Sequence, residues 1–209
     1  TPAPYCSDGC AIRDDYYATI SCTERMRQLI RELRSMIDPR TRISFDEWNV
    51  WYAWYRRTSV TDGLHAALAM HMFFEEAAPG GVALVCHFEA VNEGMIDVRP
   101  DSAALTAQGQ VMAAMKQHIG GRLCCAAQDV TVTADTDGKY TVTVINAAFD
   151  AEKPVELSAP GTCTQATLYA SDTALPPSRF AECDILAEAR TGSLRLPPHS
   201  FALLGFEKG

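Results

Sequence analysis

Apolar residues recur at three- and four-residue steps from about Asp14 to Ile37, with Met26, Leu29, Ile30, Leu33 and Ile37 forming one helical stripe. Arg25, Arg27, Arg31 and Arg34 then fall largely on the wet side. Pro39 ends the helix, because a ring without an N–H cannot extend the ladder and its predecessor is driven out of the helical region. Ile43–Trp48 reads as a strand. A second helix, capped near Thr61 or Asp62, runs through Leu64, Leu68, Met72 and Phe73 until Pro79-Gly80-Gly81 stops it. Val82-Ala83-Leu84-Val85-Cys86 is an unbroken apolar run, the pattern of a strand buried on both faces of a parallel sheet. A further helix spans about Thr106 to His118. Helix, strand, helix, strand, helix predicts an α/β unit with right-handed crossovers.

The pattern changes at Gly120-Gly121. Val130-Thr131-Val132-Thr133 alternates with period two, Asp137-Gly138 supplies a hairpin turn, and Tyr140–Val144 returns. Val155–Leu157, Ala166–Tyr169, Leu194–Leu196 and Phe201–Leu204 continue the series, while 172–190, with Pro176-Pro177, reads as an extended loop. The expected organisation is an α/β part over residues 1–121 followed by an antiparallel β-sandwich over 122–209.

Composition narrows the partners. A formal charge of −8 and a pI near 5.1 argue against nucleic acid or an anionic membrane. No apolar run of about 18 residues exists to span a bilayer. Of the eight cysteines, Cys22, Cys86 and Cys163 lie in apolar or periodic segments, where a free thiol acts as a small hydrophobe. Cys6 and Cys10 are the best candidates for a chance pair, and no C-x-x-C knuckle marks a zinc site. These features point to a reducing, cytoplasmic compartment. The opening Thr1-Pro2-Ala3-Pro4 lacks an initiator Met and any signal pattern, which reads as a fragment boundary.

The chemistry concentrates in Ser44-Phe45-Asp46-Glu47-Trp48-Asn49-Val50-Trp51-Tyr52. A strand that delivers a carboxylate beside aromatic rings suits glycoside chemistry, in which the carboxylate meets an oxocarbenium-like carbon and the rings pack on the sugar face. The plainer alternative is an Asp-Glu pair capping the next helix, with the tryptophans as core. Asp46, adjacent to Glu47, is expected on the opposite face of the strand. His65 and His71 are six apart and do not share a helix face as i, i+4 zinc ligands would, His87 ends a strand where it faces the site, and no P-loop, dinucleotide or nucleophile-elbow motif occurs. No metal or cofactor is expected.

Asp46–Tyr52 resembles the segment around the nucleophile of α-L-arabinofuranosidases of glycoside hydrolase family 51. Tyr16–Thr19 with Thr23–Ile30 resembles the preceding helix, Phe88–Asn92 the final barrel strand, and Leu196–Phe201 the closing strand of the terminal β-domain. The resemblance implies the last βα units of a (β/α)8 barrel followed by an antiparallel β-sandwich. It implies Glu47 as nucleophile, with Glu89, Asn49, Trp51 and Asn92 contacting substrate. Glu89 stands where that family more often has glutamine. Asn92-Glu93 imitates an acid/base pair but comes after the nucleophile, so Glu93 is expected to be a loop residue. A full barrel needs about 250 residues, so the strand bearing the acid/base has no counterpart here. The implied partner is an arabinose-containing oligosaccharide or polysaccharide, and a homo-oligomer is left open. Against this stands a second class: a non-catalytic sugar-binding or structural β-sandwich with an α/β appendage.

Overall fold

The computed structural model describes residues 9–50, 57–78, 81–159 and 161–208; Trp51, Tyr52 and Cys6 lie outside them. Helix α1 (Gly9–Met36) leads to strand β1 (Ile43–Trp48), and helix α2 (Val60–Glu76) leads to strand β2 (Val82–His87). The two strands pair in parallel. α2 opens two or three residues earlier than Thr61 or Asp62 suggests: Ser59 is its N-cap, and Asp62 accepts the Ser59 backbone N–H at 2.7 Å. It is buried nearly all round, from Val60 to Ala69 without interruption. That matches its continuous apolar surface and makes it the central helix of the α layer.

α1 departs from its expected faces. Ile30 is buried, but Leu29 and Leu33 are each 44% exposed. They border a groove against Ile43–Glu47 of β1 that no other element fills among the described residues. Arg27 is instead buried at 7%, because it reaches across to α2 and pairs with Glu75 and Glu76. Arg31 adds bonds to the buried Glu76 at 2.6 and 2.8 Å. A buried carboxylate is tolerated only with such partners.

Beyond β2 a short hairpin, β3 (Ile96–Arg99) and β4 (Ser102–Leu105), precedes helix α3 (Ala107–Met115) and a 3-10 turn at Lys116–His118. Thr106 caps α3 by accepting from the Gly109 N–H at 3.2 Å. The rest is antiparallel: β5 (Arg122–Ala127), β6 (Val130–Ala134), β7 (Tyr140–Asn146), β8 (Lys153–Glu156), β9 (Thr162–Ala170), β10 (Ala181–Asp184), helix α4 (Leu186–Ala189), β11 (Ser193–Leu196) and β12 (Ser200–Glu207). Six strands make one sheet in the order β10-β9-β12-β7-β6-β5, and β8 pairs with β11 in a separate ribbon. The segment 172–190, expected to be an extended loop, thus contributes β10 and α4.

Each face of the large sheet has its own core. Val144, Ala202, Leu204 and Phe206 pack with Leu194 and Leu196 of the ribbon. Ile145, Tyr169, Phe201 and Leu203 join α1, α2, α3, β1 and β2 in a single cluster. The α/β and antiparallel parts therefore share a core across Gly121. Buried hydroxyls and imidazoles stitch the same interface: Thr143 Oγ1 lies 2.9 Å from both His71 Nε2 and His118 Nε2, and His118 Nδ1 lies 2.9 Å from Thr133 Oγ1. Burial pushes the His71 imidazole down to about 3 and that of His118 to about 4.

Candidate active site

The pairing of β1 with β2 is irregular where it matters. Phe45 aligns with Val85 and Trp48 with His87, so Asp46 and Glu47 together oppose Cys86. This is a β-bulge, with two residues facing one. It puts Phe45 and Trp48 on the same helix-facing side, where both rings meet Phe73 of α2 edge-on at centroid distances of 5.3 and 5.5 Å. Asp46 and Glu47 share the other face, and both are exposed. The expectation that Asp46 points away from Glu47 is therefore corrected, because the inserted residue breaks the two-residue alternation. Ser44 donates to Asp46 on that face.

A second irregularity, between Ile43↔Val82 and Ser44↔Leu84, puts Ala83 and Leu84 on the same outward side as Cys86. Leu84 is 55% exposed and Cys86 is exposed. β2 is thus buried on its helix face alone, and the expected two-sided burial is not found: no further strand or helix covers the outward face among the described residues. Cys22, Cys86, Cys124, Cys125, Cys163 and Cys183 are free thiols, and of these only Cys163 is buried.

Glu47 is the penultimate residue of β1, at its C-terminal end. The parallel alignment continues past the strand ends, with the Phe88 N–H donating to the Trp48 carbonyl at 3.1 Å. Glu89 follows at once, exposed and joined to Phe88 by a cis peptide. The two carboxylates thus issue from the same end of neighbouring parallel strands, the end at which α/β folds place their chemistry.

What fixes these strand ends was not legible as a motif. Asn49, half-buried, donates from Nδ2 to the Glu93 carbonyl at 2.6 Å and accepts at Oδ1 from the Val50 N–H and from Gln108 Nε2. Gln108 is fully buried in the first turn of α3. Thr106 donates to the Gly94 carbonyl at 2.6 Å, and its own N–H reaches the Met95 carbonyl at 2.9 Å. Gly94 is required by space: a Cβ there would collide with the Glu89 carbonyl and lie 2.6 Å from the His87 ring. Asn92 takes a left-handed φ of 62° and accepts the Val98 N–H at 2.7 Å, so its carboxamide oxygen organises the hairpin. Glu93 sits in the bend between, its carbonyl engaged by Asn49.

His87 does not face the carboxylates. Its ring lies edge-on to Trp48 at 4.8 Å on the helix side, where burial lowers its pKa to about 4. Trp48 Nε1 and both His87 nitrogens are buried without a hydrogen-bond partner among the described residues. His65 contacts the Thr19 carbonyl at 3.1 Å, so it is a core residue. No group of three or more metal-ligating side chains occurs among the described residues. Nor is any described helix long and apolar enough to cross a membrane.

Comparison with solved structures supplies the frame. The chain is similar to a GH51 arabinofuranosidase from Xanthomonas axonopodis pv. citri, with a TM-score of 0.70 at 18% identity over 98% of this chain and 49% of that one. It is likewise similar to an α-L-arabinofuranosidase from Thermotoga maritima in complex with arabinose, with a TM-score of 0.67 at 19% identity over 93% of this chain and 50% of that one. For a family 51 α-L-arabinofuranosidase from Bifidobacterium longum the TM-score is 0.72 at 13% identity, over 96% and 50% of the two chains. No protein-family model and no curated protein matches the sequence. The likeness is therefore one of fold, and this chain spans about half the length of each of these structures.

Proposed function

We propose that this chain is the C-terminal portion of a retaining α-L-arabinofuranosidase, carrying the nucleophile but not the acid/base. The observation that carries the reading is the placement of Glu47. It stands exposed at the C-terminal end of a parallel strand, on a face with no cover among the described residues, in a chain whose fold matches half of such enzymes. β1 and β2 are read as the last two strands of an eight-stranded barrel. Their outward face, with Ser44, Asp46, Glu47, Leu84 and Cys86, then becomes barrel interior. The open groove of α1 and β1, with Leu29 and Leu33 half bare, becomes the seam against the preceding βα unit. The six-stranded sheet and its ribbon correspond to the terminal β-sandwich.

In this reading the Glu47 carboxylate attacks the anomeric carbon as a second carboxylic acid protonates the departing oxygen. That acid then deprotonates the water that releases the sugar. The two groups must stand about 5–5.5 Å apart, so the partner belongs on a strand facing Glu47 across the barrel. Glu89 is read as a substrate contact beside it. Asn49 and Asn92, assigned to the same role, lend backbone order to the loop that presents Glu89. Trp51 lies outside the described residues. The substrate class is an arabinose-decorated saccharide, and no cofactor takes part.

The alternative of a sugar-binding or structural module would be favoured by a Glu47 locked in a packed core, whereas Glu47 is exposed. The test is to express this chain extended at its N-terminus by the preceding coding sequence and to assay an aryl α-L-arabinofuranoside. Turnover lost in Glu47→Gln supports the reading; turnover retained in that variant rejects it, as does the absence of coding sequence for further βα units.

A further inference from the structure

Strands β9 and β10 begin to pair at Ala170↔Ala181, so residues 171–180 are an excursion between them, longer than the about two to five residues a hairpin loop needs. The excursion leaves the large sheet and lies across the start of α2. Since β1 and β2 are parallel, α2 runs back against them, and its first turn lies at the strand end that carries Glu47. The first N–H groups of a helix have no acceptor within it, and Val60, which opens α2, is fully buried. Its N–H donates instead to the Ser178 hydroxyl at 2.9 Å, across 118 positions of sequence. The Ser178 N–H donates to the Thr58 carbonyl at 3.3 Å. Ser178 therefore grips the chain on both sides of the N-cap Ser59. Thr61 adds a third bond, from Oγ1 to the carbonyl of the buried Ala174 at 3.0 Å.

The return arm of the excursion is pinned as firmly. Gln110 of α3 accepts the Phe180 N–H at Oε1 at 3.0 Å and donates from Nε2 to the Phe180 carbonyl at 2.9 Å, as a strand neighbour would. The Phe180 ring lies against Gly63 in the first turn of α2, where a Cβ would stand 2.7 Å from its Cε2. Glycine inside a helix is otherwise unfavourable, and here it gives the ring room. Phe180 meets Phe201 of β12 edge-on at 5.2 Å, and Phe201 stacks on Tyr169 of β9 at 4.4 Å. A continuous run of packed groups thus connects the large sheet to the start of α2. The near end of the β1–α2 connection, at Asn49, is held separately by Gln108.

We infer that Ser178 is a positioning residue for the chemistry at Glu47: through it the β9–β10 connection fixes Thr58–Val60, the far end of the link between the Glu47 strand and its helix. The inference rests on reading Glu47 as the nucleophile. Asn49 and Thr58–Val60 are both set by other elements, so the link is held at each end before any substrate arrives. Geometry held in advance is what spares a reacting group the cost of being ordered during the reaction. Ser178 itself is only half-buried. Loss of its hydroxyl therefore frees the start of α2 without opening the core of the large sheet.

Amide exchange by NMR is read first in this chain, comparing Ser178→Ala with Ser178→Thr, which keeps the hydroxyl. Ser178→Ala should quicken exchange at Thr58–Thr61 at least tenfold and leave Val144 and Leu204, in the core of the large sheet, within twofold. Thr61→Val, which has the same shape and loses only the bond to Ala174, should act in the same direction. The N-terminally extended polypeptide is then assayed with an aryl α-L-arabinofuranoside at a temperature where circular dichroism shows every variant folded. There kcat/KM should fall at least fivefold in Ser178→Ala and return to within twofold of the parent in Ser178→Thr. Exchange quickened equally throughout the chain would overturn the proposal. So would an unmoved kcat/KM beside faster exchange at Thr58–Thr61, which would make the contact structural alone. Unmoved exchange in both Ser178→Ala and Thr61→Val would overturn it whatever the activity. Failure of the functional reading shows separately, as turnover that survives Glu47→Gln.

Discussion

Gln108 and Asn49, fifty-nine positions apart, share a side-chain hydrogen bond of 2.6 Å that ties the first turn of α3 to the C-terminal end of β1. Asn49 passes the constraint on, donating to the Glu93 carbonyl in the loop after Glu89. One carboxamide thus holds together the strand end that carries Glu47 and the segment that carries Glu89. Preorganisation of this kind is what positions reacting groups to within a fraction of an ångström.

Replacing Gln108 by Ala should therefore do two things. It removes one of the two donors to Asn49 Oδ1, leaving the Val50 N–H, and opens a void at a fully buried site, which together cost about 1–3 kcal/mol. It also frees the 89–94 loop. Urea unfolding should show a lowered midpoint with an unchanged slope, and amide exchange should quicken at Glu89–Gly94. A loss of stability without faster exchange in that loop would separate Gln108 from the site.

Gly94→Ala addresses the same loop from the other side. The added methyl meets the Glu89 carbonyl and the His87 ring, and the former is backbone that cannot simply rotate away. Overpacking of this sort typically costs about 1–3 kcal/mol, and here the yielding element is the segment bearing Glu89. Thermal denaturation gives the cost. An unchanged Tm would mean that the loop is looser than its close approach implies.

The order of elements was legible because each strong element carried its own period. β1, α2, β2 and α3 fall close to where apolar spacing and caps put them. The hairpin of β3 and β4 was missed, since Ser102-Ala103-Ala104-Leu105 has no β-branched residue to announce a strand. β10 was missed for a similar reason: Ala181-Glu182-Cys183-Asp184 is exposed throughout and has no apolar face to read. The burial of Arg27 depends on Glu75 and Glu76 in another helix, and the bulge at Asp46-Glu47 depends on the register of β2. Neither relation leaves a local trace. Glu47 itself stood out by its aromatic surroundings, whereas Gln108, Thr106 and Gly94, which frame the site, look like ordinary helix and loop residues.

Acid should weaken the fold through the imidazole clasp. In the unfolded chain His71 and His118 titrate near 6.5, while burial holds them to about 3 and about 4 in the folded protein. Between those values the unfolded chain binds more protons, so the stability contributed by the neutral rings is complete above about pH 6.5. It is lost progressively as the pH falls toward 4. For His118 alone the integrated loss is about 3 kcal/mol. Urea midpoints measured from pH 7.5 to 4 should fall accordingly, and the slope should be shallower in His118→Gln. An identical pH profile in that variant would remove His118 from the account.

The proposed barrel seam can be probed without catalysis. Leu33 is 44% exposed beside the open groove of α1 and β1. In the isolated chain Leu33→Asp should change stability by no more than about 0.5 kcal/mol, the range of ordinary surface substitutions. In the N-terminally extended polypeptide the same change buries a charge in a helix–helix seam and should cost several kcal/mol. Equal effects in the two contexts would mean that nothing packs there.

The central claim is that Glu47 is the nucleophile of an enzyme of which this chain holds only one carboxylate partner's side. The most direct measurement is the hydrolysis of an aryl α-L-arabinofuranoside by the purified chain, beside Glu47→Gln and beside the N-terminally extended polypeptide. The account predicts no appreciable turnover from the chain alone, because no facing acid protonates or deprotonates on the other side of the sugar. It predicts turnover in the usual range of about 1–10³ s⁻¹ from the extended polypeptide, abolished by Glu47→Gln. Turnover by the isolated chain, or an extended polypeptide indifferent to Glu47→Gln, would contradict it.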